Sequence, residues 1–348
     1  MSTTTSSARS STRRPGLDLA LLQPAPAAPA SGRFPWLVTA AHTWILVGLF
    51  LDGWFHINGP EFESFFTPWH AVLYSGVLAT VAVHVLEQRR AGGIAPGYAP
   101  SLAGGLVVLA AGFVDGVWHT VFGVEADLNA LLSPPHLLLI TAGTLVFAGP
   151  LRAALRAPAG APGGLPTAFA AAYVITGLGF FSQYANPFTQ VYPSVVDAAA
   201  SLEVRELREV AGVAGVVVWA ALVGGAVAFL KARTTLVPGS LAVVTGVPPL
   251  FLVTQHNTYA FVPAILLGAL LVELVGRRLS PSLAALLATT TMGLGWVLTI
   301  LVTRDVAWSR ELLTGSIGSA AAAGYLVGWL VQHGGVAAAE PPPAPVSG

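Results

Sequence analysis

Residues 34–57 read FPWLVTAAHTWILVGLFLDGWFHI, an apolar stretch that carries an Asp and a His near its end. An apolar stretch of about 20 residues is long enough for an α-helix to cross the hydrocarbon core of a bilayer. These residues therefore predict a membrane-spanning helix with polar groups at one end. The rest of the chain repeats the same kind of stretch many times.

Stretches of this length follow one another along the chain, and we predict about ten spans. They are residues 34–57, 68–88, 101–122, 134–151, 165–185, 209–230, 238–256, 259–276, 281–302 and 312–332. The span that ends at residue 256 and the next one must be joined by a very tight turn at Gln255–Thr258. Asn186–Arg208 is too polar to span, and we expect a surface loop or an interfacial helix there. The predicted fold class is all-α, a polytopic membrane helix bundle in a lipid bilayer.

The composition supports this class and excludes several others. The 348 residues carry 16 basic and 16 acidic side chains, so the formal net charge is zero. Only 9% of the residues are charged, against about 25% in a soluble domain. Without a basic excess the chain is not expected to bind nucleic acid. It has no Cys, and Met292 is the only methionine after Met1, which argues against thiolate-bound metals, thiol nucleophiles and copper trafficking.

The basic residues indicate the orientation of the bundle. They precede the first predicted span or follow the second, fourth, sixth and eighth spans. They are Arg13, Arg14, Arg33, Arg89, Arg90, Arg152, Arg156, Lys231, Arg233, Arg277 and Arg278. Cytoplasmic loops are enriched in Lys and Arg, so we expect both termini in the cytoplasm and a multi-pass protein of the cell membrane.

The two ends of the chain differ in composition from the predicted bundle. Residues 1–33 are rich in Ser, Thr and Arg and then in Ala and Pro, which predicts a disordered cytoplasmic tail. Residues 34–332 form the predicted transmembrane helical domain. Residues 333–348 are again rich in Ala and Pro, and we expect a second disordered tail.

A polar pattern occurs twice in the first four predicted spans. Its form is D-G-x-[FW]-H, then G-x-E-x-[ED], then [ST]-P-x-H. The first copy consists of Asp52-Gly53-Trp54-Phe55-His56, Gly59-Pro60-Glu61-Phe62-Glu63 and Thr67-Pro68-Trp69-His70. The second copy consists of Asp115-Gly116-Val117-Trp118-His119, Gly123-Val124-Glu125-Ala126-Asp127 and Ser133-Pro134-Pro135-His136. So many agreements in the same order indicate a duplicated helical hairpin, with repeats at residues 34–88 and 101–156.

Helix periodicity predicts where these polar side chains meet. Asp52 and His56 are four residues apart and therefore share one helix face. A short loop leads to His70 at the start of the next span, so His70 is expected to lie beside His56. By the orientation above, this cluster lies near the outer face of the membrane. The matching residues of the second repeat are Asp115, His119 and His136.

Each predicted cluster has the chemistry of a metal site. Imidazole and carboxylate ligands suit copper, zinc or iron, and three ligands leave a position open for water, oxygen or substrate. Additional ligands could come from Glu61, Glu125 and His256. The alternative is that such residues only cap helices at the membrane surface. Because ionisable groups at membrane depth are costly, their repetition favours a metal or catalytic site.

At these residues the sequence resembles the C subunit of the copper membrane monooxygenases, the particulate methane and ammonia monooxygenases. Asp52, His56 and His70 match that family's Asp-x3-His and the His on its next helix. His119 and His136 match a second set, with Asp115 where the family has Asn. The resemblance covers about residues 45–145. It implies bound copper, oxygen-dependent hydroxylation of a small apolar substrate, and additional membrane subunits.

Two functions follow as hypotheses. The first is a metal-dependent membrane oxidoreductase, similar to a copper monooxygenase or one of its subunits, with its site on the extracytoplasmic side. The second is a transporter coupled to protons or divalent cations that uses the same Asp and His residues. A transporter site usually lies near the middle of the bilayer, whereas these residues are predicted at one face, which favours the enzyme.

Overall fold

The computed structural model describes residues 32–59, 66–123, 127–157, 164–194, 197 and 199–334. Nearly all of both predicted tails lies outside this part of the chain. The described residues are mostly α-helical. The helices are α1 (Phe34–Asn58), α2 (Pro68–Ala91), α3 (Ala99–Phe122), α4 (Asp127–Leu132), α5 (Pro134–Phe147), α6 (Gly149–Arg156), α7 (Gly164–Phe181), α8 (Leu202–Arg233), α9 (Ser240–Gln255), α10 (Val262–Gly276), α11 (Pro281–Thr303) and α12 (Arg310–His333). Short 3-10 helices occur at Tyr192–Ser194 and Tyr259–Phe261.

The predicted all-helical class is confirmed for the described residues, and their long apolar helices are compatible with a multi-pass membrane protein, but ten spans are not found. Within the described ranges, eight helices are long and apolar enough to cross a membrane. One of them is α10 together with the 3-10 turn before it, as Tyr259–Gly276. Helices α5 and α6 make a ninth if the bent pair is one span. The expected span at residues 238–256 corresponds to α9, which has 16 residues. A helix of that length rises roughly 24 Å, which is less than the hydrocarbon core of about 30 Å. Gly239 has a φ of 90° and is not helical, so α9 begins two residues after the predicted start of the span.

The expected span at residues 134–151 is a bent helix pair. The axes of α5 and α6 differ by 42°, and the bend lies next to Pro150. Proline has no N–H to donate to the carbonyl oxygen four residues earlier, which here belongs to Val146. The hydroxyl of Ser101 donates to that oxygen instead, at 2.8 Å. The bend is therefore stabilised by a side chain of α3.

Helix α8 begins earlier than the predicted span at 209–230. It starts at Leu202 because the side chain of Ser201 accepts a hydrogen bond from the Val204 N–H at 3.3 Å. Ser is among the preferred residues at this capping position. The last residues of the polar segment Asn186–Arg208 are therefore helical.

Small residues allow α1 and α2 to pack closely. A Cβ on Gly48 would collide with the backbone of Leu73, and a Cβ on Gly76 would lie 2.8 Å from the Ile45 nitrogen. Close approach of backbones at small residues is a common packing mode of membrane helices. It brings the end of α1 next to the start of α2.

The basic residues and the Asp/His residues lie at different ends of their helices. Arg152 Nε donates to Gly97 O at 3.4 Å beyond the end of α2, and Lys231 Nζ donates to Arg277 O at 3.1 Å beyond the end of α10. Asp52 and His70 lie at the opposite end of α1 and α2. The assignment of these ends to the two sides of a membrane stays a prediction.

We expect Gly48→Ala to lower the free energy of unfolding by about 1–3 kcal/mol, because the new methyl group has no space beside Leu73. Thermal unfolding in detergent measures this change. Gly143→Ala in α5 is the matched control, since its nearest neighbouring atom lies 4.0 Å from the added Cβ. Equal melting temperatures for the two variants would contradict the close-packing interpretation.

Candidate metal centre

The first Asp/His group consists of Asp52, His56 and His70. Asp52 and His56 lie one turn apart near the end of α1. The Thr67 side chain accepts a hydrogen bond from the His70 N–H at 3.2 Å and so fixes the first turn of α2. Asp52 Oδ1 lies 3.2 Å from His70 Nε2 and 3.8 Å from His56 Nε2. The structure thus brings together all three residues that the first motif predicts.

The second group consists of Asp115, His119 and His136. Asp115 and His119 lie one turn apart near the end of α3, and His136 lies in the first turn of α5. Asp115 Oδ1 lies 3.5 Å from His119 Nε2 and 3.8 Å from His136 Nδ1. The two imidazole centroids are 5.9 Å apart, close to the 6.4 Å between His56 and His70.

Both groups fit a cation. In each, the potential ligand atoms lie within 4.8 Å of one another. The atoms Asp52 Oδ1 and Asp115 Oδ1 are buried and have no hydrogen-bond partner in the described part of the chain. A buried polar atom without a partner is costly, and a cation between the carboxylate and the imidazoles would remove that cost. Either group could therefore hold a metal ion; their role as ligands stays a prediction.

The hydrogen bond of His119 indicates how its ring is oriented. His119 Nδ1 donates to the carbonyl oxygen of Gly123 at 3.3 Å, so Nε2 faces Asp115. Metal-binding imidazoles commonly donate their second N–H to a carbonyl group, which fixes the tautomer. The second group has this feature of metal sites.

The matching residues Thr67 and Ser133 act differently. Thr67 caps its helix, whereas the hydroxyl of Ser133 is hydrogen-bonded to His136 Nδ1 at 2.7 Å. The pattern [ST]-P-x-H thus positions a histidine through its backbone in the first group and through its ring in the second. The sequence did not reveal this difference.

Of the additional ligands that the sequence suggested, only His256 lies among the described residues. Glu61 and Glu125 lie outside the described residues. His256 is half-buried at the end of α9 and belongs to neither group. Burial lowers the pKa of His256, which favours its neutral form.

A polar network ties the turn after α9 to the end of α1. Gln255 Nε2 donates to Phe50 O at 2.9 Å, and Asn58 Nδ2 donates to Gln255 O at 3.0 Å. Trp54 Nε1 donates to Asn257 Oδ1 at 3.2 Å. These bonds flank Asp52 and His56 on α1. The tight turn expected at Gln255–Thr258 is present, and the contacts show that it positions the first group.

Comparison of the chain with protein-family models, curated proteins and solved structures finds no match. The geometry of the two groups is therefore the basis on which a function is inferred below.

We expect Asp115→Asn to stabilise the metal-stripped protein by about 1–3 kcal/mol, because a neutral amide costs less to bury than a carboxylate whose Oδ1 has no hydrogen-bond partner among the described residues. In protein loaded with Cu(II), the same substitution should be destabilising, since a ligand is lost. Thermal unfolding with and without a chelator measures both effects.

The matched control for this prediction is Asp197→Asn. The exposed pair of Asp197 with Arg208, at 3.6 Å, is expected to contribute less than about 1 kcal/mol in either state. A destabilising effect of Asp115→Asn of the same size with and without metal would contradict the cation interpretation.

Proposed function

We propose that the chain is a metal-dependent membrane oxidoreductase, similar to a copper monooxygenase or one of its subunits. The observation that carries this proposal is the pair of Asp/His/His groups, each with a buried carboxylate oxygen that has no hydrogen-bond partner among the described residues. We propose copper as the metal, with zinc and iron as alternatives.

The ligand chemistry supports a catalytic ion. Two imidazoles and one carboxylate suit Cu(II), zinc or iron, and three ligands leave at least one coordination position open. A redox-active ion bound there would supply oxygen activation. The scarcity of sulfur ligands in the chain argues against copper trafficking.

Aromatic rings beside the groups support a small apolar substrate. The rings of Phe55 and Trp69 stack at 3.6 Å with an interplanar angle of 9°, each adjacent in sequence to a histidine of the first group. Phe181 lies 6.5 Å from His136 in the second group. Such surfaces suit apolar molecules that partition into the bilayer.

The chain's own residues would orient the ion and its surroundings. Asp52 and Asp115 supply the negative charge, and the carbonyl of Gly123 and the hydroxyl of Ser133 orient His119 and His136. The indole and phenyl rings limit access of water. The resemblance at residues 45–145 adds the proposal that further membrane subunits complete the enzyme.

The arrangement of charges supports an extracytoplasmic site in the cell membrane. Arg89 and Arg90 end α2, whereas His70 of the first group lies at its start, and Asp52 and His56 lie near the end of α1. Because basic loops favour the cytoplasm, we propose that the groups face the opposite side.

We expect purified protein to contain copper or another transition metal that depends on both groups. His56→Ala should remove the ion of the first group, His119→Ala that of the second, and the double variant both. Elemental analysis gives the stoichiometry, and oxygen-dependent hydroxylation of a short alkane in membranes gives the activity. His333→Ala is the matched control, because this exposed histidine ends α12 and its Nδ1 donates to Trp329 O. Metal content that is zero, or unchanged by both variants, would overturn the proposal.

A second candidate function is transport of protons or divalent cations. It is favoured by buried ionisable residues of α1 and α2 that lie further along these helices, away from the first Asp/His group. His42 is fully buried, and neither of its ring nitrogens has a hydrogen-bond partner within the described ranges. His84 donates through Nδ1 to Thr80 O at 2.8 Å, and Glu87 is 7% exposed. Buried ionisable residues in membrane helices often mark ion paths.

The two candidates predict different results in proteoliposomes. For a transporter, the wild type should move protons or divalent cations, and His42→Ala should abolish that flux. For the oxidoreductase, we expect no flux, with unchanged metal content in His42→Ala. Ion flux measured with a pH-sensitive or metal-sensitive dye decides between them.

A further inference from the structure

The two Asp/His groups lie close enough to interact. Helices α2 and α3 are in contact, which brings the two hairpins side by side. Their contact includes the ends that carry the two groups, because Tyr74 of α2 packs on Gly112 of α3. An ion in one group would therefore affect the other, because Coulomb interactions are strong in a medium of low dielectric constant.

Tyr74 lies between the two groups. It is one helical turn beyond His70 on α2, and the two rings are 6.2 Å apart. Its phenol ring packs against Gly112 of α3, where an added Cβ would collide with the hydroxyl oxygen. Gly112 lies three residues before Asp115 on α3, so the phenol packs on the helical turn that carries the second carboxylate. One side chain thus contacts the surroundings of both carboxylates.

The repeat pattern shows that this arrangement is not duplicated. When Asp52 is aligned with Asp115 and His70 with His136, Tyr74 corresponds to Ile140. By the same alignment, Gly112 corresponds to Leu49. Of these two aligned positions, only residue 74 is a tyrosine, and a glycine stands where its phenol packs. Two independent copies of a metal site would need neither feature.

We propose that Tyr74 is a positioning residue shared by both groups, and that its hydroxyl orients ligands of both bound ions so that the groups form one site. This inference rests on the proposed metal-binding function. Groups that hydrogen-bond metal ligands typically change metal affinity by about 10–100-fold when they are removed. Tyr74 is expected to have this effect on two ions at once.

The test measures Cu(II) affinity in protein reduced to one group. His119→Ala leaves the first group intact, and His56→Ala leaves the second. We expect Tyr74→Phe to weaken Cu(II) binding by about 10–100-fold in each of these backgrounds. It should also change the Cu(II) electron paramagnetic resonance spectrum in each. The ring and its packing on Gly112 are retained, so the substitution removes the hydroxyl alone.

Tyr98→Phe is the matched control, because Tyr98 is a buried tyrosine beside His84 at the other end of α2. It should change neither the affinity nor the spectrum. An effect of Tyr74→Phe in only one background, or in neither, would overturn the shared role while leaving metal binding intact. Absence of Cu(II) binding in the wild type would instead overturn the proposed function.

Discussion

Two buried carboxylate oxygens dominate the energetics of the site. Asp52 Oδ1 and Asp115 Oδ1 each face two imidazoles at 3.2–3.8 Å, yet neither has a hydrogen-bond partner in the parts of the chain that the structure describes. Removing a carboxylate from water costs several kcal/mol unless a positive charge is placed beside it. A proton on an imidazole or a bound metal ion provides that charge. We therefore expect the conformation of both groups to depend on such a positive charge.

The surrounding helices hold these oxygens in place. The packing of Gly48 against Leu73 sets the distance between α1 and α2, and the side chain of Gln255 bonds the backbone of α1 two residues before Asp52. The turn after α9 is thus part of the scaffold of the first group. Since membrane helices gain little from hydrophobic association with one another, close packing and polar contacts of this kind position the site.

Much of the fold could be predicted from local sequence. Apolar length gave α1, α2 and α3 to within a few residues, and the spacing of Asp52 and His56 placed them on one helix face. The bend at Pro150 and the early start of α8 at Ser201 depend on single hydrogen bonds. The length of an apolar stretch carries no information about such bonds, which explains why the predicted bounds 134–151 and 209–230 were wrong.

The candidate site was predictable where it repeats and was missed where it does not. Both Asp/His groups follow from the duplicated pattern, since matching residues indicate matching geometry. Tyr74 has no counterpart in the second repeat, so comparison of the repeats could not find it. Its spacing of four residues from His70 is a usable signal, because that spacing places both on one helix face. Its contact with Gly112 joins different helices and could be found only in the folded chain.

The two groups are alike in ligands but differ in their surroundings. The Asp115 side chain is 2% exposed and that of Asp52 is 13% exposed. In the second group the carbonyl of Gly123 and the hydroxyl of Ser133 also bond the imidazoles. Greater burial and more fixed rings reduce the cost of ordering the ligands when an ion binds. The second group is therefore the more preorganised, and the first is the more open to molecules that arrive from outside.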